Sequence, residues 1–372
     1  MRTGPWIIGG TAACLVAVLV VAGLVMVNAG TGSGSSATSG QETLVGEPTT
    51  EPGLDSTVSG NIGAMVDSIR PSTVALNIRG AHGASSTTGL VAEAGGIIVT
   101  AARALAGAKS ITAIEPDGTR QVAQLVGVDQ TSGLAVVRID DDLPAATFDD
   151  SDPSVGAIAV AAALVPGTTR HPAPSSLAYA GKVVSVGQAL DADPATTTFS
   201  ATAVRAPLDH GDLGCALLDD SGHVAGLLET VQGDGTSTTA DFLPAELVLG
   251  VTLQLVASGT VDHGRMGIEV SDAENAAPPS DGDVVTSTSA VDGARVDLVD
   301  ANGPAASAGL VAGDVITAID GYRVLSTAEL RTRLYADPPG MDLTVTYERG
   351  GSTYTTSMVL AQPEGDAPAG GS

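Results

Sequence analysis

Between Thr73 and Val231 the chain keeps returning to short runs of Val, Ile, Leu, Ala and Thr, and this recurrence limits its fold more than any other feature. The runs are Thr73 to Ile78, Thr88 to Val91, Gly96 to Thr100, Ser110 to Ile114, Val122 to Val128, Leu134 to Ile139, Ile158 to Leu164, Leu177 to Val186, Thr196 to Val204, Ala216 to Leu218 and Val224 to Val231. Each has strand length, and turn signals such as Pro116-Asp117-Gly118 and Asp220-Ser221-Gly222 separate some of them. Many short strands with little helix reach stability by closing or pairing into barrels, because closure leaves no unpaired edge. Two stretches depart from this. Asn61 to Ile69 reads as a short helix ahead of Pro71, and Leu243 to Ser258 carries Leu247, Val248, Val251 and Leu255 at helical spacing before Gly259.

A second unit begins near Gly264. Gly303-Pro304 opens a short helix that Gly309 stops, Val315 to Ile319 is a strand, and Ser326 with Glu329 forms a capping box ahead of a helix carrying Leu330 and Leu334. Leu343, Val345 and Tyr347 alternate along a strand that Gly350-Gly351 turns into Thr353 to Leu360.

At the other end, residues 6–27 are almost wholly apolar and long enough to cross a bilayer, with Arg2 before them and Trp6 at the interface. Such a segment places residue 1 in the cytoplasm and the folded domains outside. Val27-Asn28-Ala29 leaves cleavage as a signal peptide open. Residues 30–58, made of Gly, Ser, Thr, Glu and Pro, cannot bury enough surface to fold and read as a tether.

Charge and cysteine content narrow the partners. A net charge of -26, from 42 acids against 16 bases, argues against nucleic acid and anionic lipid headgroups as binding partners. Cys14 lies inside the apolar segment, so no disulfide to Cys215 is expected. His82, His171, His210, His223 and His263 are scattered without metal-ligand spacing, and neither metal nor cofactor is expected.

Three local patterns carry the functional reading. Thr100-Ala101-Ala102-Arg103-Ala104 follows a G-x-I-V-T-like strand, Gly133-Leu134-Ala135-Val136-Val137 opens another, and Gly211-Asp212-Leu213-Gly214-Cys215-Ala216-Leu217 precedes a third. With the run Gly303-Pro304-Ala305-Ala306-Ser307-Ala308-Gly309-Leu310-Val311-Ala312-Gly313-Asp314-Val315-Ile316, the chain resembles the membrane-anchored HtrA/Deg-type serine proteases with one C-terminal PDZ domain.

The resemblance implies a mainly β fold: a transmembrane helix (1–29), a linker (30–58), a trypsin-like double β-barrel (59–260), an α+β PDZ domain (261–361) and a tail (362–372). It implies that Arg103 stands where the family has its general-base histidine, Gly133 where it has the orienting aspartate, and Leu213 where it has the nucleophilic serine. Gly211 remains from the oxyanion hole. Arginine stays protonated near neutral pH and leucine has no lone pair, so acyl transfer cannot start there. Cys215 with His210 is the rival constellation, although Cys215 two residues past the loop tip is expected to pack inward. Asp129 is expected to be a turn or surface carboxylate.

In the PDZ unit the resemblance places peptide binding at Arg265, Met266, Gly267 and Ile268, with Leu330 and Leu334 as pocket or core. The expected protein is an exported bacterial pseudoprotease of the cell envelope that binds peptides or protein C-termini, with a homotrimer implied by the family. The alternatives are an active serine endopeptidase with relocated residues and a purely structural envelope protein.

Overall fold

The computed structural model describes residues 56–81, 83–149, 153–167, 173–190, 199–233, 238–273 and 292–362. The apolar segment, most of the tether, His82, His171 and the tail beyond residue 362 lie outside the described residues. Among the described residues no helix is long and apolar enough to cross a membrane.

Helix α1 (Ser56–Ile69) leads into a barrel of β1 (Thr73–Gly80), β2 (Gly83–Glu93), β3 (Ile97–Ala101), β4 (Ala108–Ile114), β5 (Arg120–Asp129) and β6 (Leu134–Arg138). These strands close in the order β1-β2-β3-β6-β5-β4. The second barrel takes β7 (Ile158–Val165), β8 (Ser175–Ala189), β9 (Ser200–Arg205), β10 (Ala216–Leu218), β11 (Val224–Gln232) and β12 (Thr239–Pro244). Its order, β10-β11-β12-β9-β8-β7, has the same permutation, so each barrel is one turn of a duplicated topology.

Every strand-like run in the sequence meets a strand, but two boundaries differ from expectation. β12 was unforeseen, and Leu243 belongs to it, paired with Leu227, while helix α2 (Ala245–Ser258) starts only after Pro244. Leu243 falls in phase with Leu247, so helical spacing extends backwards into a strand that burial has claimed. Helix α1 likewise begins at Ser56, inside the stretch expected to be tether. Ile62, Val66 and Ile69 are buried in the core shared with the second barrel, and that packing holds a helix its own composition would not. Helix α2 ends as expected, with Gly259 left-handed and its N–H on the Leu255 carbonyl.

The C-terminal unit is a sheet of β13 (Ile268–Asp272), β14 (Ala294–Val299), β15 (Val315–Ile319), β16 (Tyr322–Arg323), β17 (Asp342–Arg349) and β18 (Ser352–Val359), with helices α3 (Pro304–Ser307) and α4 (Thr327–Ala336). The order β13-β14-β15-β17-β18 leaves β13 on an open edge. The capping box forms: Ser326 Oγ accepts from Glu329 N–H, while Glu329 Oε2 accepts from Leu325 N–H, one residue earlier than the usual partner.

Helix α4 joins the two domains. Tyr335 donates its hydroxyl to Asp129 Oδ2 at 2.9 Å, lies edge-on to Phe199, and stacks on His263 at 3.5 Å. Thr332 Oγ1 accepts from Ser200 N–H at 2.7 Å, and Arg333 pairs with Glu246. Gly250 lets α2 approach closely, since a Cβ there would sit 2.7 Å from the Ala336 Cβ. Asp129 is therefore a turn carboxylate, accepting from Ser132 N–H, but not a surface one; it is 9% exposed. Tyr335→Phe leaves this buried carboxylate short of a donor and is expected to cost about 1–2 kcal/mol. Faster proteolysis near Gly259 than in the parent chain checks it, and unchanged unfolding and cleavage would count against the docking role.

Candidate functional site: a filled inter-barrel cleft

Arg103 sits on a 3-10 turn, Ala102–Leu105, directly after β3. The Ala102 N–H donates to the Gly133 carbonyl at 2.6 Å, which ties that turn to the start of β6. Gly133 is left-handed, with φ +74°, and closes a turn on the Asp129 carbonyl. Both positions face one side chain from the other barrel. Glu229 Oε1 accepts from Arg103 Nε at 3.2 Å and from Nη2 at 2.9 Å, and it lies 2.3 Å from where a Cβ on Gly133 would be. The carboxylate occupies the room that a side chain at 133 would need.

Glu229 reaches this place because the β11–β12 register shifts between Leu228 and Thr230, leaving it as the extra residue of a bulge. Its side chain is 5% exposed, against 49% for Arg103. Burial lifts the carboxyl to about 7, with Arg103 holding it lower than burial alone would. Oε1 takes every contact with Arg103, while Oε2 is buried without a hydrogen-bond partner among the described residues. An ion pair thus bridges the barrels where the resemblance implied a base and its orienting acid. Sequence reasoning missed Glu229. The available signal was a single charge inside the otherwise apolar run Val224 to Val231.

The loop leading to β10 completes the cleft. Leu213 is 5% exposed and packs with Ala101, Leu217 and Leu228, so this side chain points into the second barrel's core. The Leu213 carbonyl accepts from Thr88 N–H at 3.2 Å and from the Thr87 hydroxyl, which pins the loop tip to β2. Gly211 does not offer its amide to the cleft, as an oxyanion-hole remnant was expected to. Its N–H donates to Asp209 Oδ1 at 2.6 Å, the ordinary satisfaction of a donor in an Asx turn. Asp212 accepts from the Tyr179 hydroxyl and from Asp209 N–H, and burial pushes its carboxyl up to about 6.

Strand β11 borders all three of Arg103, Gly133 and Leu213. Glu229 meets the first two, and Leu228 accepts from Gly214 N–H beside the third. The rival Cys215–His210 constellation lacks an accessible nucleophile. Cys215 is fully buried, its thiol pushed up by desolvation, while His210 is exposed on the loop.

In the C-terminal unit the six expected groove residues do come together. Arg265, Met266, Gly267, Ile268, Leu330 and Leu334 line one groove of about 360 Å³ between β13 and α4. Leu330 is both floor and core at 1% exposure, so the two expectations for it coincide. Gly267, with φ +76°, turns the loop so that successive amides can face a carboxylate. Elsewhere, Asp149, Asp219 and His223 bring one ligand atom each within 4.8 Å of one another on the half-exposed surface of the second barrel.

These elements define a trypsin-like double barrel followed by a PDZ domain. Residues 87–227 match the trypsin-like peptidase domain and residues 264–360 the PDZ domain. The chain is 29% identical over 280 residues to "Serine protease Do-like HtrA" of Lactococcus lactis subsp. cremoris, covering 72% of this chain and 68% of that one. It is 28% identical to the "Probable periplasmic serine protease do/HhoA-like" of Haemophilus influenzae, covering 71% of this chain and 55% of the relative. In fold it is similar to the solved structure "HtrA-type protease AlgW with tripeptide", with TM-score 0.54, 24% identity, and coverage of 82% of this chain and 99% of that one. The chain carries a trypsin-like serine protease domain of the HtrA/DegP type with one PDZ domain.

Proposed function

We propose that this chain is a peptide-binding pseudoprotease: its double barrel does not hydrolyse peptides, and its PDZ domain captures free C-termini of peptides or proteins. The observation that carries this reading is Glu229, which fills the acid slot from the opposite barrel and ties up Arg103 in an ion pair. The buried Leu213 and the self-satisfied Gly211 amide support it, because neither a nucleophile nor that oxyanion donor faces the cleft. Binding rests on the open edge of β13, where a peptide adds a strand beside α4 while its carboxylate meets the Gly267 loop. The tripeptide named with the AlgW structure is consistent with that mode.

The apolar segment 6–27 would anchor the chain and export its domains, in keeping with the periplasmic description of the Haemophilus relative. A trimer remains the family-based expectation for its assembly. The relatives' names favour hydrolysis as the competing reading. The full chain is expected to show neither fluorophosphonate labelling nor casein cleavage. Labelling abolished by a single Ser or Cys substitution would establish the competing reading instead.

A further inference from the structure

We propose that the groove selects peptides with an aliphatic last residue and a carboxylate side chain at the third-from-last position, read by Arg331. This rests on the peptide-capture reading of the same groove. The direction of the bound strand follows from two anchors. At the far end, Asp272 Oδ1 accepts from the Thr327 N–H and hydroxyl at 2.7 and 2.8 Å, which fixes the start of α4 beside the end of β13. At the near end, Gly264 N–H donates to the Asp337 carbonyl, fixing the end of α4 beside the Gly267 loop. Helix and edge strand therefore run in opposite directions, and a peptide antiparallel to β13 runs along α4 with its carboxylate toward Tyr335.

Alternate residues of that peptide face the helix. The last residue meets the apolar wall of Leu330, Leu334 and Met266. The third-from-last lies about 6.8 Å back along the strand, two residues at strand rise. Arg331 lies about 4.5 Å back from Leu334 along α4, three residues at helical rise, and its long side chain covers the difference. Arg331 is exposed and lines the groove, and Arg265 adds positive charge at the carboxylate end. In a chain of net charge -26, Arg265 and Arg331 against the single carboxylate Glu269 leave this groove with a local positive excess that suits acidic ligands. Glu269 is exposed, whereas its neighbours Ile268 and Val270 pack on the core. It borders the groove from the other face of β13 and disfavours an acid at the next-to-last residue.

The test measures binding of fluorescent heptapeptides to the full chain by anisotropy. The reference ends Glu-Ala-Val with a free carboxylate; its companions carry Gln for Glu, Glu moved to the next-to-last position, or an amidated end. We expect the Gln and the shifted-Glu peptides to bind about threefold more weakly, as befits one exposed ion pair. The difference should shrink in high salt and vanish in Arg331→Gln, which keeps carboxylate-dependent binding. Equal affinity for the Glu and Gln peptides, an equally tight shifted-Glu peptide, or a Glu preference surviving in Arg331→Gln overturns the selectivity while leaving carboxylate capture standing. An amidated peptide that binds as tightly as the free acid, or no binding by any of the set, overturns the capture reading itself.

Discussion

Arg103→Ala is expected to lower the unfolding free energy at pH 8 by about 2–3 kcal/mol, less than the roughly 3–5 kcal/mol of a fully buried pair because Arg103 is half exposed. Glu229→Gln, by contrast, should cost about 1 kcal/mol or less. The asymmetry follows from exposure. Arg103 is half in water and can be solvated there when Glu229 loses its charge, whereas Glu229 is 5% exposed and has no other strong partner when Arg103 goes. The pH dependence has a definite sign. Burial raises the Glu229 carboxyl from 4.5 to about 7, so the native state binds this proton more readily than the unfolded chain does. Its contribution is therefore most favourable below about pH 4.5 and is lost as pH rises through about 7. Asp212, raised to about 6, adds a slope of the same sign.

The parent chain should lose stability across this window by an amount that Glu229→Gln removes in part. The Arg103→Ala penalty should shrink as pH falls toward 5 and the carboxyl takes up its proton. Chemical denaturation at pH 5, 6.5 and 8 reads all three, and equal penalties for the two variants at pH 8 would show that the pair is not the inter-barrel tie described here.

Introducing an aspartate at position 133 should damage the protein. A Cβ at 133 meets Glu229 Oε1 at 2.3 Å, and φ +74° is a conformation that a side-chain-bearing residue adopts at a cost of about 1–3 kcal/mol. The new carboxylate would also face the Glu229 carboxylate. Gly133→Asp is therefore expected to destabilise by about 3–4 kcal/mol. Adding Glu229→Ala should recover at least about 1 kcal/mol of that, because the double variant frees the room and leaves Arg103 with one acid again. A thermodynamic cycle over the four proteins measures this coupling. A coupling near zero would mean that Glu229 does not occupy the room beside Gly133. Serine and histidine introduced at Leu213 and Arg103 with Glu229 in place should likewise give no fluorophosphonate labelling, since the tip side chain packs into the second core.

Most of the strands were legible because their signal is local. A half-buried strand must alternate or run apolar over a few residues, and a turn must supply Gly, Asp or Pro at set places. The helix stop at Gly259, the Ser326–Glu329 cap and the αL glycine at Gly309 are legible for the same reason. β12 was not, because Leu243 sits in phase with two periodicities and only its pairing with Leu227 decides between them. Arg103, Gly133 and Leu213 were also legible, being one residue each at the place the flanking motif marks. Glu229 was not. Its importance depends on a bulge in β11 and on a left-handed glycine nearly a hundred residues earlier in the chain.

By itself the sequence determined the two-domain plan, the apolar N-terminal segment, the acidic composition and the residues, Arg103 and Leu213, that stand in the two flanking motifs. These depend on residue identity and short-range periodicity. Only the tertiary structure decided that Glu229 fills the room beside Gly133, that α4 locks the C-terminal groove to the barrels through Tyr335 and Asp129, and that Arg331 lines that groove. Each of these is a meeting of side chains far apart in sequence, and a buried charge has no local pattern that names its partner.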